Sequence, residues 1–235
     1  DLKFAYRIFR RLFTLSILKA KIIIVPSLYL QNLVRGWVGT TNNISLIYNS
    51  IDTTKFTKLK PLENRFDVIT ACRLVPWKGV DELIETCRAL NLSLGIAGEG
   101  PDKFRLTELV ATLGASVTFL GQLSKEEISN FYASGNIFVL NSSYEGLPHA
   151  LVEAKASELL CIGRLGTGSE EVVRDMVDGM LVSDQPGHTL RETLAKASSD
   201  PVLVADLRAK ARQDVTTRFN QEHNFHKLHD ILVNS

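Results

Sequence analysis

The sequence predicts an α/β fold, a doubly wound parallel sheet of the Rossmann-like kind. Short apolar segments alternate with helical segments along most of the 235 residues. The apolar segments are near-continuous runs of Val, Ile, Leu and Phe, which is typical of strands buried on both faces. Their repeated alternation with helices favours parallel strands joined by crossover helices. Ligands of such sheets bind at the carboxyl ends of the strands, so functional residues are expected on the strand-end loops.

Eight segments are predicted as strands because each is short, apolar and bounded by polar or turn residues. In chain order they are Lys21–Val25, Ile44–Tyr48, Phe66–Cys72, Leu92–Ala97, Ser116–Leu120, Asn136–Leu140, Leu159–Gly163 and Met180–Val182. Helices are predicted between them at 27–38, 80–90, 101–113, 124–134, 148–157, 168–176 and 189–199. Asn220 is a favourable N-cap residue, which predicts a last helix at about 221–233.

Composition and charge exclude several classes of protein. The hydrophobic content of 45% and the charged content of 23% are ordinary for a globular protein. The net charge of +1 argues against nucleic-acid binding, which needs a basic excess to neutralise phosphates. No apolar run reaches the ~20 residues that a membrane-spanning helix requires. Cys72, Cys87 and Cys161 are widely spaced and odd in number, so we predict reduced thiols in a cytoplasmic protein.

The strand–helix rhythm is interrupted once, by a polar stretch at 53–64 that contains Pro61. We predict that residues 1–51 are the end of one domain and that 52–218 form a second domain. Residues 219–235 are predicted to add a C-terminal helix. The chain opens directly into a helical pattern without an initial Met, so we expect a piece of a longer protein.

The opening segment predicts a basic amphipathic helix. Its basic face carries Lys3, Arg7, Arg10 and Arg11, and apolar residues cover the rest. Such a helix could lie on the anionic inner surface of a membrane or pack against a sheet outside the chain, and we favour packing. Residues 1–51 would expose apolar surface without their missing neighbours, so we expect self-association through this segment.

Two strand-end loops combine charges and glycines. After the third predicted strand, Arg73 and Lys78 lie five residues apart, and Gly79 opens a helix. A guanidinium, an ammonium and a helix N-terminus suit a pyrophosphate, although a solvated loop with incidental charges is an equal alternative. After the fourth strand, Gly98-Glu99-Gly100-Pro101 would let the backbone approach a ligand or would simply form a tight turn before a helix. Gly121-Gln122 after the fifth strand has the same two interpretations.

Glu145 and Glu153 follow the sixth predicted strand, the first on a loop and the second on a helix, eight positions apart. Carboxylates placed in this way reach different parts of a ligand, and a Glu that accepts two hydroxyl hydrogen bonds is a common way to hold a ribose. The backbone around Gly146-Leu147-Pro148-His149 could hold sugar hydroxyls or a phosphate. The alternative is two acids that only stabilise a helix start, by ~0.3–1 kcal/mol each.

A metal site is not predicted. His223, His226 and His229 recur every third residue on the last predicted helix. At this spacing the first and last side chains point about 120° apart, which makes a shared metal ion difficult.

Taken together, these segments resemble the retaining glycosyltransferases of the "glycosyl transferases group 1" family, family 4 in the usual classification. The resemblance covers about residues 20–233 and implies the C-terminal domain of a glycosyltransferase-B fold with a remnant of the N-terminal domain. The last helix would cross back towards that remnant. The segments that carry the resemblance are Ile47–Asp52, Arg73–Gly79, Gly98–Pro101, Val117–Gly121, Ser142–Glu153, Gly168–Val173 and Asp178-Gly179.

The resemblance implies that this chain binds a nucleotide-diphosphate sugar without a metal or another cofactor. Arg73 and Lys78 would hold the diphosphate, Glu145 would contact the donor sugar, and these three would be the catalytic residues. Glu153 would hold the ribose, and the base would lie near 120–123. The donor-binding positions are Gly98, Glu99, Gly100, Leu120, Gln122, Gly146, Leu147, Pro148, His149 and Glu153.

The chain departs from the family pattern at several positions. It has Lys155 where the family usually has Met, Thr167-Gly168 in place of Gly-Gly, and no Gly-x-Pro-Val-Val in 158–164. The acceptor, a glycan or lipid-linked molecule, would bind mainly to a first domain that is largely missing. We therefore expect the 235 residues alone to bind nucleotide weakly without transferring sugar. A sugar-nucleotide epimerase and a non-catalytic nucleotide-sugar-binding module remain the alternatives.

Overall fold

The computed structural model of the protein describes residues 14, 17–38, 43–56, 62 and 65–234. The basic face predicted for the opening helix, with Lys3, Arg7, Arg10 and Arg11, lies outside the described residues. Within the described ranges, no helix combines the length and the apolar character that crossing a bilayer would require.

All paired strands are parallel, as predicted. A small sheet pairs β1 with β2, and a six-stranded sheet has the order β5-β4-β3-β6-β7-β8. The strands are β1 (Ile23–Val25), β2 (Ile44–Leu46), β3 (Phe66–Ala71), β4 (Leu94–Ala97), β5 (Val117–Gly121), β6 (Gly135–Leu140), β7 (Leu160–Arg164) and β8 (Met180–Val182). Each of the eight predicted strands overlaps one of them.

Helices connect the strands, and short 3-10 turns lie at Thr53–Phe56 and Pro76–Lys78. The helices are α1 (Leu28–Val38), α2 (Val80–Ala89), α3 (Lys103–Leu113), α4 (Lys125–Tyr132), α5 (His149–Ala156), α6 (Ser169–Val172), α7 (Leu190–Ser199), α8 (Pro201–Arg218) and α9 (Gln221–Val233).

Two helices differ from the prediction. The prediction lacks α8, which buries only a narrow stripe along 207–215 and therefore shows little apolar periodicity. Its start is nevertheless marked by Pro201 and by Asp200, whose carboxylate accepts from the Leu203 amide at 2.9 Å. The helix predicted at 168–176 ends at 172, because the chain then turns and Met176 adopts a left-handed φ of 54°.

Both faces of the larger sheet pack against helices, which explains why its strands are largely apolar, and the edge strand β5 stays partly exposed. Along β6, Phe138 and Leu140 pack with α4 and α5 on one face, while Ile137 and Val139 pack with α2 and α3 on the other. Each large apolar side chain that is fully buried contributes about 1.5–3 kcal/mol. Helix α8 contributes to both layers and closes one end of the core.

The chain leaves the small sheet near Ile51 and passes from α8 to α9 near Asn220, and these two crossings lie side by side. The amide of Ile51 donates to the carbonyl of Phe219 at 3.0 Å, and the amide of Gln221 donates to the carbonyl of Ile51 at 3.1 Å. Asn220 caps α9 as predicted, because its Oδ1 accepts from the amide of His223 at 3.0 Å. These crossings coincide with the predicted domain boundaries near 51 and 218, which stay a prediction.

A cluster of buried charges joins α5 to the carboxyl half of the domain. The Nζ of Lys155 lies 3.0 Å from an oxygen of Asp178 and 2.8 Å from an oxygen of Asp214, and all three side chains are buried. Arg174 and Arg218 complete the pairing of both carboxylates. Burial alone would raise the pKa of Asp214, but hydrogen bonding to Arg218 and the charge of Lys155 lower it. The departure of this chain from the family pattern at 155 therefore has a structural role.

We predict that Lys155→Ala lowers the free energy of unfolding by about 3–5 kcal/mol, because it leaves two carboxylates buried with one cation fewer. Urea unfolding followed by circular dichroism would measure the change. Lys210→Ala is the control, since Lys210 pairs with Asp206 on the surface, where a salt bridge is worth about 0–1 kcal/mol. Equal effects of the two substitutions would contradict the role assigned to Lys155.

Candidate active site

The site forms where the order of the strands reverses. β3 and β6 are neighbours, and the strands that follow them along the chain lie on opposite sides. Loops that leave such a pair of strands diverge and open a crevice at their carboxyl ends. The loop after β3 carries Arg73 and Lys78, and the loop after β6 carries Glu145. The topology therefore brings these three predicted residues to one edge of the sheet.

Lys78 and Glu145 form an ion pair across this crevice, with Nζ and Oε1 2.5 Å apart. Gly79, with a left-handed φ of 60°, ends the turn that carries Lys78. The amide of Ser143 donates to the carbonyl of Trp77 at 2.9 Å and ties the two loops together. The side chains of the pair are only 17% and 13% exposed, so water and salt screen it weakly.

The loop that carries Glu145 packs closely against Gly168. The amide of Gly168 donates to the carbonyl of Glu145 at 3.0 Å. A Cβ atom at 168 would collide with the carbonyl of Gly146. Because the φ of Gly168 is −59°, which any residue adopts, the close approach of the two backbones is what requires glycine here. Of the two glycines in the family pattern, the chain keeps the one that this contact needs.

Glu153 lies on α5, half-buried, and is held by a tyrosine that the sequence did not reveal. The hydroxyl of Tyr132 donates to Oε2 of Glu153 at 2.8 Å. Burial raises the pKa of Glu153, although this hydrogen bond and the charge of His149 lower it in part. The other oxygen remains available for a ligand hydroxyl. Tyr132 lies on the apolar face of α4, where sequence alone gives no sign of a polar role.

The segment Gly146–His149 leads into α5. Pro148 is the N-cap residue, and within the described residues no side chain caps this helix. Its first amides can therefore receive an anion or a hydroxyl. His149 is exposed and lines a cleft of about 640 Å³ that also includes Tyr48 and Phe225, between the small sheet and α9. His149 thus lies between the loop that carries Glu145 and the small sheet.

A second cavity, of about 440 Å³, lies at the carboxyl ends of β3 and β4. Its lining includes Arg73, Gly98, Glu99 and Gln122, so four of the predicted residues meet here. Gly98 has a left-handed φ of 127°, and a Cβ atom there would collide with the carbonyl of Cys72. Glycine at this position therefore keeps the backbone close enough to shape the cavity.

Cys72 connects the cavity to the ion pair. Burial raises the pKa of its thiol to about 11, while the charge of Lys78 lowers it and that of Glu145 raises it. Both charges therefore act close to the cavity wall. Two other predicted positions are set back from the cavity: Gly100 packs against the carbonyl of Leu74, and Leu120 packs against the core.

Asn141 is a further residue that the sequence analysis missed. Its Nδ2 donates to Glu82 at 2.7 Å, and its Oδ1 accepts from Arg164 at 3.1 Å. These bonds fix the start of the loop that carries Glu145. The signal was present in the sequence, because Asn141 is the first polar residue after an apolar strand.

Comparisons with known proteins point to one family. The family model described as "Glycosyl transferases group 1" matches residues 51–214. Amylovoran biosynthesis glycosyltransferase AmsK of Erwinia amylovora is 29% identical over 204 residues, which cover 80% of this chain and 50% of AmsK. The chain spans about half the length of the curated relatives it matches.

Solved structures share the fold. The crystal structure of HepE from Anabaena in complex with UDP aligns with a TM-score of 0.81 at 20% identity, covering 92% of this chain and 64% of HepE. Sucrose-phosphate synthase from Thermosynechococcus elongatus aligns with a TM-score of 0.82 at 21% identity, covering 96% of this chain and 61% of that protein. The predicted fold class is confirmed.

We predict that Tyr132→Phe raises the pKa of Glu153 further, because the substitution removes a donor that favours the carboxylate. A ¹³C NMR titration of the glutamate carboxyl groups would measure it, with Glu153→Gln used to assign the resonance. Tyr144→Phe, at an exposed tyrosine, is the control and should leave this pKa unchanged. A Glu153 pKa that does not rise in Tyr132→Phe would show that the hydrogen bond has no effect on the carboxyl.

We predict that Gly168→Ala displaces the loop at 145–146 and lowers the free energy of unfolding by about 1–3 kcal/mol, because it overpacks a backbone contact. Hydrogen exchange of the 142–150 peptide and urea unfolding would detect the two effects. The control is Gly36→Ala in α1, where a Cβ atom meets nothing within 4 Å and helix propensity should stabilise by up to about 1 kcal/mol. Unchanged exchange in the 142–150 peptide would refute the displacement.

Proposed function

The chain belongs to the glycosyl transferases group 1 family, and we propose that it carries the donor site of an enzyme that transfers a sugar from a nucleotide-diphosphate sugar to an acceptor. The observation that supports this best is the convergence of Arg73, Lys78 and Glu145 at the reversal of strand order. Two cations suit a diphosphate, and a carboxylate beside them suits the hydroxyls of the attached sugar.

The ligand would lie along the carboxyl edge of the sheet. The cavity between Gly98 and Gln122 would hold the base, and Arg73 at its wall would meet the diphosphate. Glu153 would accept hydroxyl hydrogen bonds from the ribose, since only one of its oxygens is taken by Tyr132. The UDP bound by HepE, which shares the fold, supports a nucleotide ligand for this chain.

Lys78 and Glu145 would act as one unit on the sugar diphosphate. Their ion pair fixes both side chains at the start of α5. A donor whose phosphate contacts Lys78 would therefore present its sugar to Glu145 and to the backbone of Gly146–His149. Because the ion pair already holds the two side chains in place, they would lose less conformational freedom when the ligand binds.

We propose that transfer retains the anomeric configuration. The acceptor hydroxyl would attack the anomeric carbon on the face of the leaving group. As the carbon–oxygen bond to the diphosphate breaks and the new glycosidic bond forms, the hydroxyl proton would pass to the departing diphosphate. Arg73, Lys78 and the N-terminus of α5 would stabilise the negative charge that develops there, so we expect transfer without a metal ion.

The acceptor would be a glycan or a lipid-linked molecule. The name of AmsK assigns that relative to amylovoran biosynthesis, which supports polysaccharide or glycolipid assembly as the setting. Because the chain corresponds to about half of such a relative, we propose that it binds the donor but needs a first domain to transfer sugar. Measured transfer by these 235 residues alone would contradict that part of the proposal.

The proposed function predicts that one nucleotide stabilises the protein in a thermal-shift assay. The panel consists of UDP, GDP, ADP and the corresponding nucleotide sugars. At a hundred-fold excess over Kd, the ligand should add ~2.7 kcal/mol to the stability. We expect Arg73→Ala to weaken binding by about 10–100-fold, since it removes charge-assisted hydrogen bonds of about 1.5–3 kcal/mol. Glu153→Ala should also weaken binding. Isothermal titration would give both values.

Arg191→Ala and Glu108→Ala are the matched controls, because both residues are exposed on helices away from the crevice. Their affinities should equal that of the unmodified protein. The absence of stabilisation by every member of the panel would refute the donor site. Conversion of a bound nucleotide sugar to its epimer, detected by chromatography without an acceptor, would favour the epimerase instead.

A further inference from the structure

Helix α1 of the small sheet takes half of its N-terminal cap from the other domain. Ser27 accepts from the third and fourth amides of the helix, at 3.1 Å through its hydroxyl and at 2.9 Å through its carbonyl. The first two amides, of Leu28 and Tyr29, donate to the two carboxylate oxygens of Glu171 on α6. Glu171 lies 143 residues beyond Leu28 in the chain. A carboxylate at a helix N-terminus also meets the positive end of the helix dipole.

Two further elements converge on Glu171. Arg218, the last residue of α8, donates to the backbone carbonyl of Glu171 at 2.7 Å. Tyr48, on the crossing between the sheets, lies against the Glu171 side chain, and burial together with this negative charge raises the pKa of its hydroxyl. Glu171 is half-buried and is contacted by segments on both sides of the domain boundary.

These contacts differ in kind from the two chain crossings. The crossings lie together at Ile51 and Asn220, where a single parallel bridge joins them. Two covalent connections at one point leave rotation about that point free, as in a hinge. Glu171 contacts α1, which belongs to neither crossing segment, so its hydrogen bonds oppose a rotation that the backbone alone would allow.

Glu171 is also connected to the loop that carries Glu145. It follows Gly168 by three residues in the same short segment, and the amide of Gly168 donates to the carbonyl of Glu145 at 3.0 Å. A shift of the Glu145 loop would therefore also move the segment that carries Glu171 and alter its contact with α1. Tyr29, whose amide Glu171 holds, lies close to Tyr144, which precedes Glu145, and the interaction of the two side chains raises the pKa of Tyr29.

We propose that Glu171 is an interdomain latch, a positioning residue that holds α1 and the first domain closed over the loop carrying Glu145. The latch itself follows from the contacts of Glu171, and its part in sugar transfer rests on the proposed function. Opening it would free two amides of α1 and let the first domain swing away from the donor loop. Donor binding that moves the Glu145 loop would in turn strengthen or release the latch.

The test compares Glu171→Ala and Glu171→Gln with the unmodified protein by hydrogen exchange. The amides of Leu28 and Tyr29 should exchange roughly tenfold or more faster in Glu171→Ala, because they lose their acceptors. Glu171→Gln keeps one oxygen that can accept a hydrogen bond, so these amides should exchange at an intermediate rate. This variant replaces Glu171→Ala in the test if the alanine variant folds poorly. Glu108→Ala is the control, and peptides from β3 and β6 report whether the core is intact.

A second measurement follows the domain arrangement. Spin labels on Arg35→Cys in α1 and Ala111→Cys in α3, in a Cys72→Ala background, would give the interdomain distance by pulsed electron paramagnetic resonance. We expect a broader distance distribution in Glu171→Ala than in Glu108→Ala, with and without UDP. Cys87 and Cys161 are buried and should not take up the label.

Faster exchange at Leu28 and Tyr29 with a broader distance distribution would support the latch. Unchanged exchange would overturn it. Faster exchange with an unchanged distribution would also overturn it, since Glu171 would then be only a local cap. Failure of the unmodified protein to bind any nucleotide or nucleotide sugar of the panel would contradict the proposed function and leave the latch standing, because neither measurement of the latch requires a nucleotide.

Discussion

The reversal of strand order between β3 and β6 is the constraint on which the candidate site depends. All paired strands in the larger sheet run in one direction, so their carboxyl ends meet at a single edge. The loops that leave β3 and β6 must turn to opposite sides of the sheet, and the crevice between them cannot be filled by either connection. Lys78 and Glu145 meet in that crevice at 2.5 Å although they lie on different connections.

The crevice is supported by elements that hold α5 in place. This helix begins beside the Glu145 loop, carries Glu153 and is anchored further along by Lys155. Two buried carboxylates from the carboxyl half of the domain hold the Lys155 ammonium, so α5 cannot slide without breaking a desolvated charge network. The buried charges thus help to position the Glu145 loop and Glu153, although they contact neither. The family pattern usually has Met here, so this chain replaces an apolar contact with a directional one.

The surroundings of the site also include elements next to the small sheet. The cleft that His149 lines is bounded by the small sheet and α9, and a carboxylate of the larger domain completes the cap of α1. The surface beside the candidate site is therefore shaped by elements of both sheets. Within the described residues, the backbone that leaves the small sheet at Ile51 and the backbone that enters α9 at Asn220 lie side by side and are joined by a parallel bridge.

The sequence alone determined the fold class, the positions of the strands and the loops that carry the site, because buried parallel strands are continuous apolar runs and their loops begin at the first polar residues. It did not reveal α8, whose narrow apolar stripe is masked by charged residues. Nor did it reveal which side chains meet. Lys78 with Glu145, Tyr132 with Glu153, and Glu171 with the amides of α1 are pairs separated by 67, 21 and up to 143 residues. Local patterns carry no information on such pairings, since they depend on how strands are ordered and how helices pack, and only the tertiary structure decides both.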